Sequence, residues 1–222
     1  MNYTRFAIFY LPDGDLATFG ASWLGWDVMR GCQVDQVDVP GLDEATTDPR
    51  KYGFHATLKP PFHLRAGATT DDLKGAVADL ASRLPASSCS GLRPQALGRF
   101  IALVPAGGAA EINGIAAACV TELDDFRAPL SFSDLARRRA SRLTAQQDAY
   151  LVQRGYPYVL DAFRFHMTLT GRVPKGHADH WLAVVANHLP PLPKPFHLND
   201  LALVGERQDG FFELIQRFTL SG

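Results

Sequence analysis

Cysteine is scarce in this 222-residue sequence: Cys32, Cys89 and Cys119 lie far apart, with no Cys-x-x-Cys pair. That excludes a disulfide framework and a cysteine-based zinc motif, and it fits a reducing compartment. An excess of either charge is also lacking, since 22 Lys and Arg meet 23 Asp and Glu for a net charge of −1. General nucleic-acid binders carry a clear basic excess, because neutralising phosphates drives their binding. The balance here favours a small or short substrate. No stretch approaches the ~18 uninterrupted apolar residues of a membrane span. The opening MNYTRFAIFYLPDGD is broken by Asp13 and Asp15 before a signal-peptide core can form. The expectation is a cytoplasmic protein without membrane contact. Runs of the form GxGxxG, GxxxxGK[ST] and GxSxG are missing as well, and with them the usual signatures of dinucleotide binding, P-loop phosphate binding and serine hydrolysis.

What is present suits a folded globular chain: 46% hydrophobic and 20% charged residues, enough to build a sizeable core. Arg5 to Leu11 reads as a buried strand ended by the turn signal Pro12-Asp13-Gly14-Asp15. A short helix is expected over 16–30 and loop over 31–50. Residues 52–64 read as a strand that ends or bends at Pro60-Pro61. Thr69-Thr70-Asp71-Asp72 supplies a helix start, and Leu73, Val77, Leu80 and Leu84 follow at helical spacing until Pro85. A strand pair over 92–97 and 99–104 and helices over 109–127 and 132–153 come next. Then a strand over 163–171, a helix over 177–188 and a strand pair over 196–205 and 211–220 repeat the earlier order.

The local text repeats with it. Tyr52-Gly53-Phe54-His55-Ala56-Thr57-Leu58 lies over Phe163-Arg164-Phe165-His166-Met167-Thr168-Leu169, and Ala96-Leu97-Gly98 lies over Leu203-Val204-Gly205. An aromatic-x-aromatic-His-x-Thr-Leu heptad found twice, each time heading the same element order, indicates an internal duplication across a pseudo-twofold axis. On a strand, residues two apart share a face. His55, Thr57 and Lys59 are therefore expected to point one way, and so are His166, Thr168 and Thr170, while the apolar residues between them anchor the core. Two imidazoles and two hydroxyls in one cleft suit attack on a phosphodiester. One neutral histidine takes a proton from the nucleophile and one protonated histidine gives a proton to the leaving oxygen. Threonine hydroxyls hydrogen-bond the non-bridging oxygens, and a Lys or Arg nearby steadies the developing charge. No metal or other cofactor is needed for such a scheme, and none is expected.

The paired His55-Ala56-Thr57-Leu58 and His166-Met167-Thr168-Leu169 motifs resemble those of the 2H phosphoesterase superfamily, also called the RNA ligase-like or cyclic phosphodiesterase group. The resemblance implies an α+β, bilobal duplicated fold with two antiparallel sheets flanking a central cleft and helices outside. It implies His55 and His166 as acid and base, and Thr57 and Thr168 as phosphate ligands. It also implies cyclic phosphodiesters or 2′,5′ linkages as substrates. The longer stretches HATLKPPFHL and YPYVLDAFRFHMTLTGR resemble a bacterial branch described as associated with phosphonate metabolism, which implies a small cyclic phosphodiester from sugar-phosphate or phosphonate breakdown. The chain departs from the compact members by a helical insert over about 128–155, between a first lobe over about 1–127 and a second over about 156–222. The insert is expected to form a wall or lid over the cleft.

Beyond the motifs, Lys59 serves equally as a phosphate ligand or as a strand-end cation. In the run Arg137-Arg138-Arg139, helical spacing lets only one or two residues face a cleft. Arg139 is carried forward as a candidate substrate contact, together with Tyr156, which precedes the second motif. His177 and His180 are spaced i, i+3, but no ligand set completes a metal site around them. The expected activity is opening or hydrolysis of a small phosphodiester or nucleotide by a monomer. The alternatives are processing of short RNA ends by a 2′,5′-RNA ligase or 2′,3′-cyclic phosphodiesterase, and a non-catalytic nucleotide- or RNA-binding module.

Overall fold

The computed structural model describes residues 2–222. In chain order its elements are β1 (Phe6–Tyr10), α1 (Gly14–Leu24), β2 (Trp26–Asp27), β3 (Cys32–Gln33), α2 (Leu42–Arg50), β4 (Ala56–Phe62), α3 (Thr70–Arg83), β5 (Ser87–Cys89), β6 (Leu92–Leu97), β7 (Phe100–Pro105), α4 (Ala110–Glu122), α5 (Phe132–Arg139), α6 (Ala145–Arg154), β8 (Met167–Thr168), α7 (Ala178–His188), β9 (Phe196–Leu198), β10 (Asp200–Glu206) and β11 (Phe212–Thr219). The expected α+β class and its antiparallel pairing are present. The two expected sheets are halves of a single seven-stranded sheet, ordered β11-β10-β1-β4-β8-β7-β6. They meet at one ladder pair, Ala56 opposite Met167. Read outward from that junction, the order is β4-β1-β10 on one side and β8-β7-β6 on the other. The short strands β5 and β9 pair with each other.

Strand alternation sorts the core into two faces. Phe6, Ile8 and Tyr10 of β1, with Leu201 and Leu203 of β10 and Ile101 and Leu103 of β7, pack against Trp23, Leu73, Val77, Ile112, Ile115, Trp181 and Val185 of the helices. Ala7, Phe9, Leu11, Ala202 and Val204 face the other way, under Trp26, Val28 and Phe212. Each fully buried large apolar side chain stabilises the fold by about 1.5–3 kcal/mol relative to exposure, so the strand is held rigid by its neighbours on both faces. Helix α3 starts where expected: Thr69 and Asp72 form a reciprocal capping box.

Three expectations are corrected. Residues 42–50, expected as loop, form α2; Leu42, Thr46 and Pro49 bury while the rest stays polar, so no apolar stripe marks it. The helix expected over 132–153 is two helices, broken at 140–144 where Arg142 takes a left-handed φ of 52°. The strand expected over 163–171 keeps only Met167 and Thr168 in the ladder. Beyond them the amides of Leu169 and Thr170 both reach the Ile101 carbonyl (2.8 and 3.2 Å), a bulge-like kink that ends the alternation.

Candidate active site

The register at the junction builds the site. Ala56 and Met167, the middle residues of the two motifs, face each other and are buried on the helical side. One step along an antiparallel ladder either way sets Thr57 across from His166 and His55 across from Thr168. The four expected residues thus form a quartet on the opposite face, related by exchange of the two strands.

Both imidazoles are oriented in the same way. His55 Nδ1 donates to the Gly53 carbonyl at 2.8 Å and His166 Nδ1 donates to the Arg164 carbonyl at 2.7 Å, each two residues upstream. That bond sets the tautomer and leaves Nε2 as the proton-transfer atom. The Thr57 hydroxyl lies 2.9 Å from His55 Nε2. Gly53 is required for this turn: its φ is +69°, and a Cβ there would sit 2.5 Å from Val28 Cβ.

The surroundings differ. His55 stacks on Phe9 of β1 with ring centroids 3.8 Å apart and planes at 25°, and Tyr52 approaches it at 6.0 Å. His166 meets Phe100 at 5.8 Å, tilted by 56°. Burial pulls the His55 pKa down to about 4, the charge of His166 adds to the pull, and the bond to Gly53 opposes it. His55 is therefore neutral near pH 7.

The structure does not bring Lys59 into the quartet. Phe9 pairs with Thr57 but Ile8 pairs with Lys59, so Leu58 is an extra residue in β4. This bulge turns Lys59 to the helical side, where its Nζ donates to the Val120 carbonyl at the end of α4 (3.1 Å) and lies 3.4 Å from Asp124. Burial lowers the Lys59 pKa to about 8, with Asp124 opposing. Thr170 is buried too; its hydroxyl accepts the Ile101 amide at 2.9 Å. Arg139 turns outward and pairs with Asp148 through Nε and a second guanidinium nitrogen (2.6 and 2.9 Å). Tyr156 stays close, lining a cavity at the far end of β4 with the Arg138 guanidinium 4.9 Å above its ring. Phe9, Tyr52 and Arg138 were not singled out in the sequence. The one available signal for Phe9 was its place on the alternate face of the first strand.

Residues 57–213 match the family model described as "Protein of unknown function (DUF1045)". The chain belongs to that family. It is also 40% identical over 183 residues to a protein of Janthinobacterium sp. (strain Marseille) named ribose 1,5-bisphosphate phosphokinase PhnN, covering 79% of this chain and 40% of that one. A protein of the same name from Laribacter hongkongensis (strain HLHK9) is 30% identical over 190 residues, covering 83% of this chain and 44% of that one. The chain spans about two fifths of the length of these curated relatives. Among solved structures it aligns along its whole length with E. coli LigT complexed with 3′-AMP (14% identity, all of both chains, TM-score 0.49). It also aligns with TT0787 of Thermus thermophilus (16% identity, 98% of both chains, TM-score 0.46). Among the described residues no helix is long and apolar enough to cross a membrane.

Proposed function

We propose that the chain is a phosphoesterase of the 2H type that opens or hydrolyses a small cyclic phosphodiester by acid–base catalysis without a metal. The observation that carries this reading is the His55–Thr57–His166–Thr168 quartet around the Ala56–Met167 pair, with both Nδ1 atoms tied to backbone carbonyls. His55, kept neutral by its aromatic seat, takes the proton of an attacking water through Nε2. Water oxygen bonds to phosphorus, the ring P–O bond breaks, and the leaving oxygen takes a proton from Nε2 of protonated His166. As substrate enters, the Thr57 hydroxyl turns from His55 Nε2, and the Thr57 and Thr168 hydroxyls donate to the non-bridging oxygens, where charge builds up.

The name shared by the curated relatives supports a ribose-phosphate substrate. The kinase activity in that name is not carried across, since the chain has no GxxxxGK[ST] run and spans under half of each relative. The test is turnover of 2′,3′-cyclic nucleotides and of ribose 1,2-cyclic phosphate, with and without a 5-phosphate, in excess EDTA. Wild type should turn over at least one of them, and His166→Ala should not. Loss of wild-type turnover in EDTA, or undiminished turnover in His166→Ala, refutes the mechanism.

A further inference from the structure

The far end of β4 runs into a cavity of about 270 Å³ that the phosphoesterase chemistry does not use. It lies between that strand end, the start of β1 and the helical insert. Its basic residues are Arg5, Lys59, Arg127, Arg137, Arg138 and Arg154, and Asp134 is the one carboxylate in its lining. The balance stays positive when second neighbours are included. Arg5 pairs with Glu206 and Arg137 with Asp134. Lys59, Arg127 and Arg154 all share the single carboxylate of Asp124, and Arg138 makes no ion pair among the described residues. Six cations thus meet three carboxylates.

Two donors point to a missing partner more directly. Arg138 Nε and Arg154 Nε are buried and have no acceptor on the protein. Buried donors left unmatched are rare and costly, and a cluster of like charges in a recess is costly for the same reason. An anion with several oxygens offsets the charge directly and meets the two Nε donors once the guanidinium groups turn towards it. Arginine suits that task because its planar fork matches phosphate. Burial holds the Arg138 pKa below its usual value, with Arg137 and Arg5 adding to it, a strain that a bound anion reverses.

The cavity is joined to the quartet. Pro60 and Pro61 line it three and four residues beyond Thr57 on the same strand, on the order of 10–13 Å at strand rise. Arg5 lies within electrostatic reach of Tyr52, whose ring is 6.0 Å from that of His55. The volume lies just below the ~300–1,000 Å³ usual for small-molecule sites, so it admits the end of a small molecule.

We propose that this cavity binds a phosphate monoester carried by the substrate, so that the cyclic phosphodiester sits on the two motifs while a second phosphate, across a single sugar unit, is held by Arg138 and Arg154. The proposal rests on the phosphoesterase reading for the identity of the other end. The binding itself is tested without turnover, by calorimetric titration of ribose 5-phosphate into wild type, Arg138→Gln, Arg154→Gln and the outward-facing Arg139→Gln. Wild type and Arg139→Gln should bind alike, and the two cavity variants about 10–100-fold more weakly, the loss expected for one charged hydrogen-bonding partner. In kinetics, the ratio of kcat/KM for ribose 1,2-cyclic phosphate with and without the 5-phosphate should fall in the cavity variants by a similar factor. No binding of ribose 5-phosphate, or equal binding by all four proteins, overturns the proposal whatever the turnover assay gives. Arg138-dependent binding without turnover of any cyclic diester sustains the subsite and sinks the phosphoesterase reading instead. Tighter, strongly salt-dependent binding of a short RNA than of ribose 5-phosphate overturns the monoester and assigns the cavity to a nucleic-acid backbone.

Discussion

The two motifs share their His-x-Thr-Leu letters, their upstream hydrogen bond and their place beside the junction, yet one histidine is stacked on an aromatic ring and the other is not. The register explains the difference. Phe9 lies across from Thr57 in β1, while Ala102 lies across from Thr168 in β7. A ring therefore seats His55, and a methyl group occupies the same position beside the second motif. Both motifs tie Nδ1 to the carbonyl two residues upstream, while the neighbouring strand sets the two imidazoles apart. A pair of titratable groups in unlike surroundings is how one site holds an acid and a base at one pH.

Removing either imidazole should have the largest effect. His55→Ala and His166→Ala are each expected to lower kcat about 10²–10⁴-fold while the thermal melt stays cooperative. A large loss in one variant alone would break the pairing of roles. Next come the hydroxyls. Thr57→Ala and Thr168→Ala should each lower kcat/KM roughly 10–100-fold, the scale of one hydrogen bond to a charged oxygen. Because Thr57 bonds its own histidine, Thr57→Ala should also shift the His55 titration seen by NMR, and Thr168→Ala should leave it in place. The third change sharpens the asymmetry. Phe9→Leu should raise the His55 pKa from about 4 towards 6.5, by roughly one to two units. In wild type the unfolded chain protonates at His55 below about pH 6.5, whereas the folded chain resists until about pH 4. Stability therefore falls as pH drops through that window and is untouched above it. Melting temperatures at pH 4.5 and 7.5 should differ less in Phe9→Leu than in wild type. The smallest effect is expected at Arg139→Gln, which loses only an exposed pair with Asp148: within about 0.5 kcal/mol in stability and twofold in turnover.

Much of this site was legible in the sequence, because the residues that form it are local. An aromatic-x-aromatic-His-x-Thr heptad carries its own strand, its own alternation and its own hydrogen bond to residue i−2. The likeness of the two heptads was legible for the same reason. What was hidden depends on partners distant in the chain. Lys59 leaves the quartet because β1 pairs past Leu58, and nothing in residues 52–64 states that register. Arg138 rather than Arg139 faces the cavity because of where the insert docks, and three consecutive arginines look alike until it does. Helix α2 carries too few apolar residues for periodicity to reveal it.

The single pair at Ala56 and Met167 has a mechanical consequence. Each half of the sheet is internally well laddered, and each carries one histidine and one threonine. The halves are fastened to each other along the sheet by little more than a rivet. Along the sheet, the spacing of the two imidazoles therefore rests on one ladder pair and on the core packed beneath both halves. On the proposed function a ligand bound between the motifs would bridge both halves, so slower amide exchange at Ala56 and Met167 on adding ligand is the expected sign of that bridging.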